Sequence, residues 1–350
     1  MHPILSHLTQ LATNLQSVFQ YSTNNKNLAT LNLTTFAISA FTFAPLILLS
    51  GCSSTPTKTT TAPTLPTKPM VALVLGGGGA KGFAHVGVIK SLEANGIHPN
   101  LIVGSSAGSV VGSLYASGKT AAQLEQIALT TQDSDLADFT LSHQGIIEGN
   151  KLKDFINNQV GGRRIEQLPI RFAAVATEKN NLKKTVFTQG NTGLIVQASS
   201  SVPALFIAPR IPEKVGKKYI DGGVSSLVPV DTAKALGADV IIAVDLLDTA
   251  AINQSTRKST RIDSKQRNIW KLIDQNYHQQ TTNADASSNN AKNNYKAAEI
   301  KRADVIITPN VSSFSVFDTI QRQQMIDAGE KATKQQMSQI KQAIAAAQPQ

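Results

Sequence analysis

The 350-residue chain holds a single cysteine, Cys52, which excludes an internal disulfide and leaves cysteine usage silent on the redox compartment. Histidine is also scarce. The six copies are scattered, and with one Cys they build no metal site, so no metal is expected. The chain lacks any RNA- or DNA-reading motif. Its 33 Lys+Arg against 23 Asp+Glu give a net charge of +10, which favours anionic partners; without such a motif, lipid headgroups fit better than nucleic acid. A long hydrophobic run is missing too: the most apolar stretch, Thr34 to Leu49, is too short for a comfortable transmembrane span. The length and the 41% of hydrophobic residues suffice for one large α/β domain or two small ones.

That apolar stretch has the size of a signal-peptide h-region and ends in Leu49-Ser50-Gly51-Cys52. The ending resembles the lipobox of bacterial lipoproteins, which implies cleavage before Cys52 and acylation of its thiol and new amino terminus. The alternative is a buried thiol closing a core helix. Against that alternative, Ser53 to Pro69 is rich in Ser, Thr and Pro without apolar periodicity, and reads as a flexible tether. The n-region is unusually long, with Lys26 as its only basic residue; a wrongly assigned start codon would account for it. Within the lipoprotein family a serine after the cysteine, here Ser53, suggests the outer membrane, with the domain facing the periplasm or the cell surface. The expected organisation is a signal peptide over 1–51, a tether over 52–69 and a folded domain over 70–348.

Met70 to Leu75 is short, rich in branched residues and stopped by glycines, the pattern of a buried parallel strand. Phe83 to Asn95 carries Val88, Ile89 and Leu92 at helical spacing before a capping Gly96. A strand over Leu101 to Val103 then leads through a glycine-bounded turn into a helix over Ala107 to Ala116, and Thr120 with Gln123 predicts a capping box for the next helix. Further strands are expected over Ile170 to Thr177, Lys184 to Thr188, Val240 to Asp245 and Val305 to Thr308, with a last amphipathic helix from Phe317 to Ala345. Such alternation implies a mainly parallel sheet flanked by helices. Around 249–294 the composition turns to Asn, Gln, Ser, Thr and Lys, a polar low-complexity insertion with room for one helix near Trp270.

Gly104-Ser105-Ser106-Ala107-Gly108 fits G-x-S-x-G between a predicted strand and a predicted helix, the context a nucleophile elbow requires. Small neighbours let Ser106 expose its Oγ on a sharp turn, with the next amide free to meet an oxyanion. The same pattern can arise by chance as a packing turn. Gly76 to Gly82 directly follows the first strand and could gather amides at the same sheet edge. As a dinucleotide fingerprint (Gly77, Gly79, Gly82) it lacks the acidic residue at the end of strand two, and as a P-loop it lacks Gly-Lys-Ser/Thr. An oxyanion hole remains. Lys81 reads as a structural or headgroup-facing cation. For a base, the histidines are poorly placed: His98 precedes a strand, His143 and His278 lie in polar stretches, and His85 sits in an apolar helix face where packing is favoured over catalysis. Asp221, in Tyr219-Ile220-Asp221-Gly222-Gly223, is the better candidate, with an ordinary Asp-Gly turn as the bland reading and Asp245 as the competing carboxylate.

The glycine loop, the Gly104 to Gly108 elbow and Asp221-Gly222-Gly223, in this order, resemble the patatin-like phospholipase family over about Met70 to Asp248, as does Ala198-Ser-Ser-Ser-Val-Pro203. The resemblance implies a three-layer α/β fold and a Ser-Asp dyad without histidine or cofactor. Ser106 would attack an acyl carbonyl of a phospholipid or other acyl ester, and Asp221 would take its proton. Gly77, Gly78 and Gly79 would hold the oxyanion, with Gly82, Gly104, Gly108, Gly222 and Gly223 supporting the turns. Water activated by Asp221 would then release the acyl group. Two other readings stay open: a lipoprotein that binds lipid without turnover, and a nucleotide-binding protein.

Overall fold

The computed structural model describes residues 68–140, 142, 144–248, 298–317 and 319–348. The expected signal peptide over 1–51, Cys52, nearly all of the expected tether, the polar 249–294 segment, His143 and His278 lie outside the described residues. Among the described residues no helix is long and apolar enough to cross a membrane.

Strand β1 (Val71–Leu75) is buried along its whole length because both of its faces are covered. Leu73 and Leu75 point into a core shared with Ile89, Leu92 and Ile326, whereas Ala72 and Val74 pack with Val230 and Ala233 on the opposite face. This period of two within an unbroken apolar run is what a central strand between two helical layers produces. Strand β2 (Leu101–Ser105) pairs with β1 in parallel and continues two residues beyond the expected Val103, to the residue before Ser106. The remaining strands are β3 (Arg171–Glu178), β4 (Lys184–Phe187), β5 (Arg210–Ile211), β6 (Lys217–Ile220), β7 (Val240–Val244) and β8 (Val305–Ile307). Together they form an eight-stranded mixed sheet in the order β5-β6-β3-β2-β1-β7-β8, with β4 also on β3. The β3-β2-β1-β7-β8 part is parallel; β4, β5 and β6 run antiparallel to their neighbours.

Helices α1 (Phe83–Ala94), α2 (Ala107–Ala116) and α3 (Ala121–Thr130) form as expected, and Thr120 Oγ1 accepts from Gln123 N while the Gln123 side chain accepts from Thr120 N. They are followed by α4 (Asn150–Gln159), α5 (Thr192–Ser199), α6 (Val230–Ala235) and α7 (Arg322–Ala346). Helices α1 and α7 touch through their backbones: a Cβ on Gly87 would lie 1.8 Å from Ile326 O, and one on Gly329 would lie 1.9 Å from Ala84 O. The last helix starts at Arg322 rather than at Phe317. Upstream, Val316 O accepts from Ala80 N at 2.7 Å, which draws that segment across the glycine loop. Arg322 then fixes the helix start by donating to Ala128 O, Thr131 O and Asp133 Oδ1.

Candidate active site

All parallel strands end at one edge, and the singled-out residues gather there. Ser106 sits between β2 and α2 with φ 52° and ψ −126°, a conformation that a residue with a Cβ rarely adopts. Its backbone is held at both ends. Ser199 Oγ accepts from Ser106 N at 3.0 Å and donates to Val175 O at 2.6 Å. The Ser106 carbonyl accepts from Ser109 N at 2.8 Å, Ser109 Oγ at 2.7 Å and Ser200 Oγ at 3.2 Å. The turn is therefore over-determined by its surroundings, as a strained residue needs. The side chain of Ser106 is 7% exposed, and a Cβ on Gly77 would lie 3.2 Å from its Cβ, so the glycine loop passes directly over it.

Asp221 follows β6 and is likewise 7% exposed. Its N–H donates to Ser201 O at 2.9 Å, its carbonyl accepts from Thr177 Oγ1 at 2.8 Å, and its Oδ1 accepts from Gly223 N at 2.7 Å. The segment Ser199 to Ser201 thus bonds the backbones of both Ser106 and Asp221. Gly222 presses against the elbow, where a Cβ would fall 2.6 Å from Ser105 Oγ and 2.1 Å from Val175 O. Leu227 Cδ1 would lie 3.1 Å from a Cβ on either Gly77 or Gly223, which brings the glycine loop and the aspartate turn onto one side chain. Asp245, the competing carboxylate, is 1% exposed beyond β7; its Oδ1 accepts from Leu247 N at 3.1 Å. Its neighbours Val244 and Leu246 flank Gly76 and Gly78 rather than the elbow.

The glycine loop corrects one expectation. Gly77 N donates to Leu227 O at 3.0 Å, so that amide is committed to the fold and is removed from the three oxyanion donors expected. The amides of Gly78 and Gly79 make no hydrogen bond among the described residues, and Ser106 provides no side-chain cap for the first amides of α2. Gly79 takes φ +57°, and a Cβ there would meet Val316 O at 2.2 Å. Lys81 is 8% exposed, which places it among the structural rather than the headgroup-facing residues.

His85 lies in the core and supports the loop from beneath. Its Nε2 bonds Gly76 O at 2.8 Å, and because a carbonyl only accepts, the neutral ring carries its proton on Nε2. Burial lowers its pKa from 6.5 to about 4, with the Gly76 bond opposing the shift. The unfolded chain therefore takes up the proton first as pH falls. Nothing is lost above pH 6.5; between there and pH 4 the native state loses about 3 kcal/mol from this group. Denaturant titrations at pH 7.5 and pH 5 should accordingly show wild type losing about 2 kcal/mol more than His85→Gln.

Two supports had no role assigned from the sequence. One is the Ser199–Ser200 clamp, which lies in the Ala198 to Pro203 motif. The other is Glu299, 1% exposed, which accepts from Ser226 Oγ at 2.8 and 2.9 Å and pairs with Lys184 at 3.6 Å. Burial raises its carboxyl pKa, and Lys184 counteracts the rise.

Residues 73–234 match the family model described as patatin-like phospholipase. An uncharacterized NTE family protein of Mycobacterium bovis is 38% identical over 180 residues, covering 51% of this chain and 49% of that protein. Patatin-like phospholipase domain-containing protein 6 of Mus musculus is 32% identical over 182 residues, covering 50% of this chain and 13% of that protein. The chain therefore spans about half the length of the mycobacterial relative and far less of the murine one. The crystal structure of VipD from Legionella pneumophila matches with a TM-score of 0.51 over 78% of this chain and 67% of that one, at 14% identity, a likeness of fold alone. Over residues 73–234, then, the chain is similar to the patatin-like phospholipase family, by the family match and by both relatives.

Proposed function

We propose that this chain is a serine lipid acyl hydrolase in which Ser106 is the nucleophile and Asp221 its base. The observation that carries the reading is the Ser106 backbone at φ 52°, held by hydrogen bonds at both ends beneath a loop whose next amides have no acceptor among the described residues. Strain maintained this way belongs to a residue selected for something other than stability. Ser106 Oγ adds to the ester carbonyl while Asp221 accepts its proton, and the amides of Gly78, Gly79 and Ala107 face the developing oxyanion. Collapse of the tetrahedral species expels the alcohol, which takes the proton back from Asp221. Water, deprotonated by the same carboxylate, then cleaves the acyl-enzyme.

Ser199 serves as a positioning residue in this scheme. Ser199→Ala should leave the buried Ser106 N–H without its acceptor and cost about 1–3 kcal/mol of stability. It should also lower kcat by about tenfold or more while KM changes little, because the elbow loosens without altering substrate contacts. Steady-state kinetics alongside thermal melts separate the two effects.

Anchoring belongs to the same proposal. Cys52 within Leu49-Ser50-Gly51-Cys52 would carry the acyl chains that hold the domain at a bacterial membrane, and intact-mass analysis of the membrane fraction tests it. For the activity, fatty acid release from phospholipid vesicles and from p-nitrophenyl butyrate by the full chain is the direct assay. Turnover of either ester supports the hydrolase. A folded chain inert on both moves the lipid-binding, non-catalytic reading ahead.

A further inference from the structure

The edge that carries Ser106 also carries two neighbouring turns with an unusual composition. β3 runs parallel to β2, so the β3–β4 turn, residues 179–183, leaves the sheet at the same edge as the elbow. β6 pairs antiparallel with the last two residues of β3, Thr177 with Ile220 and Glu178 with Tyr219, and Lys179 N donates to Lys218 O at 2.9 Å. The β5–β6 hairpin, residues 210–218, therefore projects past that edge beside the first turn, and its second strand leads straight into Asp221.

Each turn exposes an aliphatic side chain at its tip. Val215 is 83% exposed and Leu182 is 50% exposed. Leu182 also has φ 56°, a left-handed conformation that suits Gly or Asn and that neither burial nor a helix cap requires here. Around these tips lysines outnumber carboxylates. Lys179, Lys183 and Lys214 are exposed and form no salt bridge among the described residues. The nearby carboxylates are already neutralised, Glu178 by Lys217 at 3.0 Å and Glu213 by Lys153 at 2.9 Å. The hairpin is stiffened from within by Arg210 Nη1 donating to Gly216 O at 2.7 Å.

We infer that these two tips form a docking surface for an anionic lipid bilayer, with Leu182 and Val215 entering the interface and Lys179, Lys183 and Lys214 meeting the headgroups. The inference rests on the hydrolase reading and deepens it: the surface would set the sheet edge bearing Ser106 and Asp221 against its substrate. Exposed aliphatics gain free energy by leaving water, and lysines near an anionic surface each add to the attraction while the ionic strength is low.

The test uses the full chain carrying Cys52→Ala, so that no thiol-linked acyl chain contributes, and sedimentation with phosphatidylcholine vesicles with or without phosphatidylglycerol. Two variants are compared with it, Lys179→Gln/Lys183→Gln/Lys214→Gln and Leu182→Asn/Val215→Ser, neither of which alters a buried side chain. The parent is expected to bind the phosphatidylglycerol vesicles, more weakly as salt rises, and each variant to bind them about tenfold or more weakly. Both variants should hydrolyse p-nitrophenyl butyrate at the parental rate. Parental binding by both variants, or equal binding of the parent to vesicles without phosphatidylglycerol, overturns the proposal. A parent that binds as expected but hydrolyses no soluble ester leaves the surface standing and brings down the hydrolase reading instead.

Discussion

Ser106→Ala is expected to lower kcat for ester hydrolysis by about 10⁴-fold or more while the chain stays folded, because removing a nucleophile removes the covalent route and leaves only binding and the oxyanion donors. The methyl group fits where Oγ was, and the clamp on the Ser106 backbone is untouched, since every bond in it uses the backbone of residue 106. Ser106→Gly should be equally inactive but more stable than Ser106→Ala by about 1 kcal/mol, since glycine adopts φ 52° without strain. Comparing the two melts measures the strain independently of activity. Asp221→Asn keeps an acceptor for Gly223 N but no longer takes a proton, and should cost about 10²–10⁴-fold in kcat. Loss of activity with the melt unchanged is the signature of a base rather than of a packing turn.

Gly108→Ala is expected to have the largest effect on stability. A Cβ there would lie 2.0 Å from Leu75 O and 2.5 Å from Leu75 C, both backbone atoms of the central strand. Neither can move without disturbing the pairing of β1 with β2 and β7, so α2 must lift away from the sheet. A loss of about 3 kcal/mol or more, read as a lower denaturation midpoint, follows from such overpacking against backbone. Gly96→Ala provides the contrast. No atom lies within 4 Å of a Cβ there, and only its φ of +70° resists substitution, so about 1 kcal/mol is expected.

The parallel core was legible because β1 and β7 are unbroken apolar runs, stopped by Gly76 and by Asp245 respectively, a pattern that burial on both faces imposes. Ser106 and Asp221 were legible for a related reason: each stands where a strand stops and small residues begin, and close approach enforces that composition. The antiparallel margin was not. β5 has two residues and β6 four, and the latter begins Lys-Lys, so neither shows an apolar alternation. Helix α4, Asn-Lys-Leu-Lys-Asp-Phe-Ile-Asn-Asn-Gln, buries only Leu152 and Ile156, and its polar composition hid it. The start of α7 was misplaced because Val316 and Phe317 continue an apolar rhythm whose backbone is claimed by Ala80. Within the site, the resemblance put three amides in the oxyanion hole, whereas the chain commits Gly77 to Leu227, a pairing 150 residues away that no local pattern could reveal. The serines of Ala198 to Pro203 were noticed as a motif, but their work as a clamp on both Ser106 and Asp221 needed coordinates.

The most direct test of the central claim is covalent labelling of the full chain with a fluorophosphonate, followed by peptide mass analysis. The reagent forms an Oγ–P bond with loss of fluoride only at a serine whose proton has an acceptor and whose adduct finds oxyanion donors. The account predicts one adduct per chain on Ser106, formed far more slowly in Asp221→Asn and absent in Ser106→Ala. An adduct on another residue, or a folded chain that resists labelling altogether, contradicts the assignment of Ser106 as an activated nucleophile.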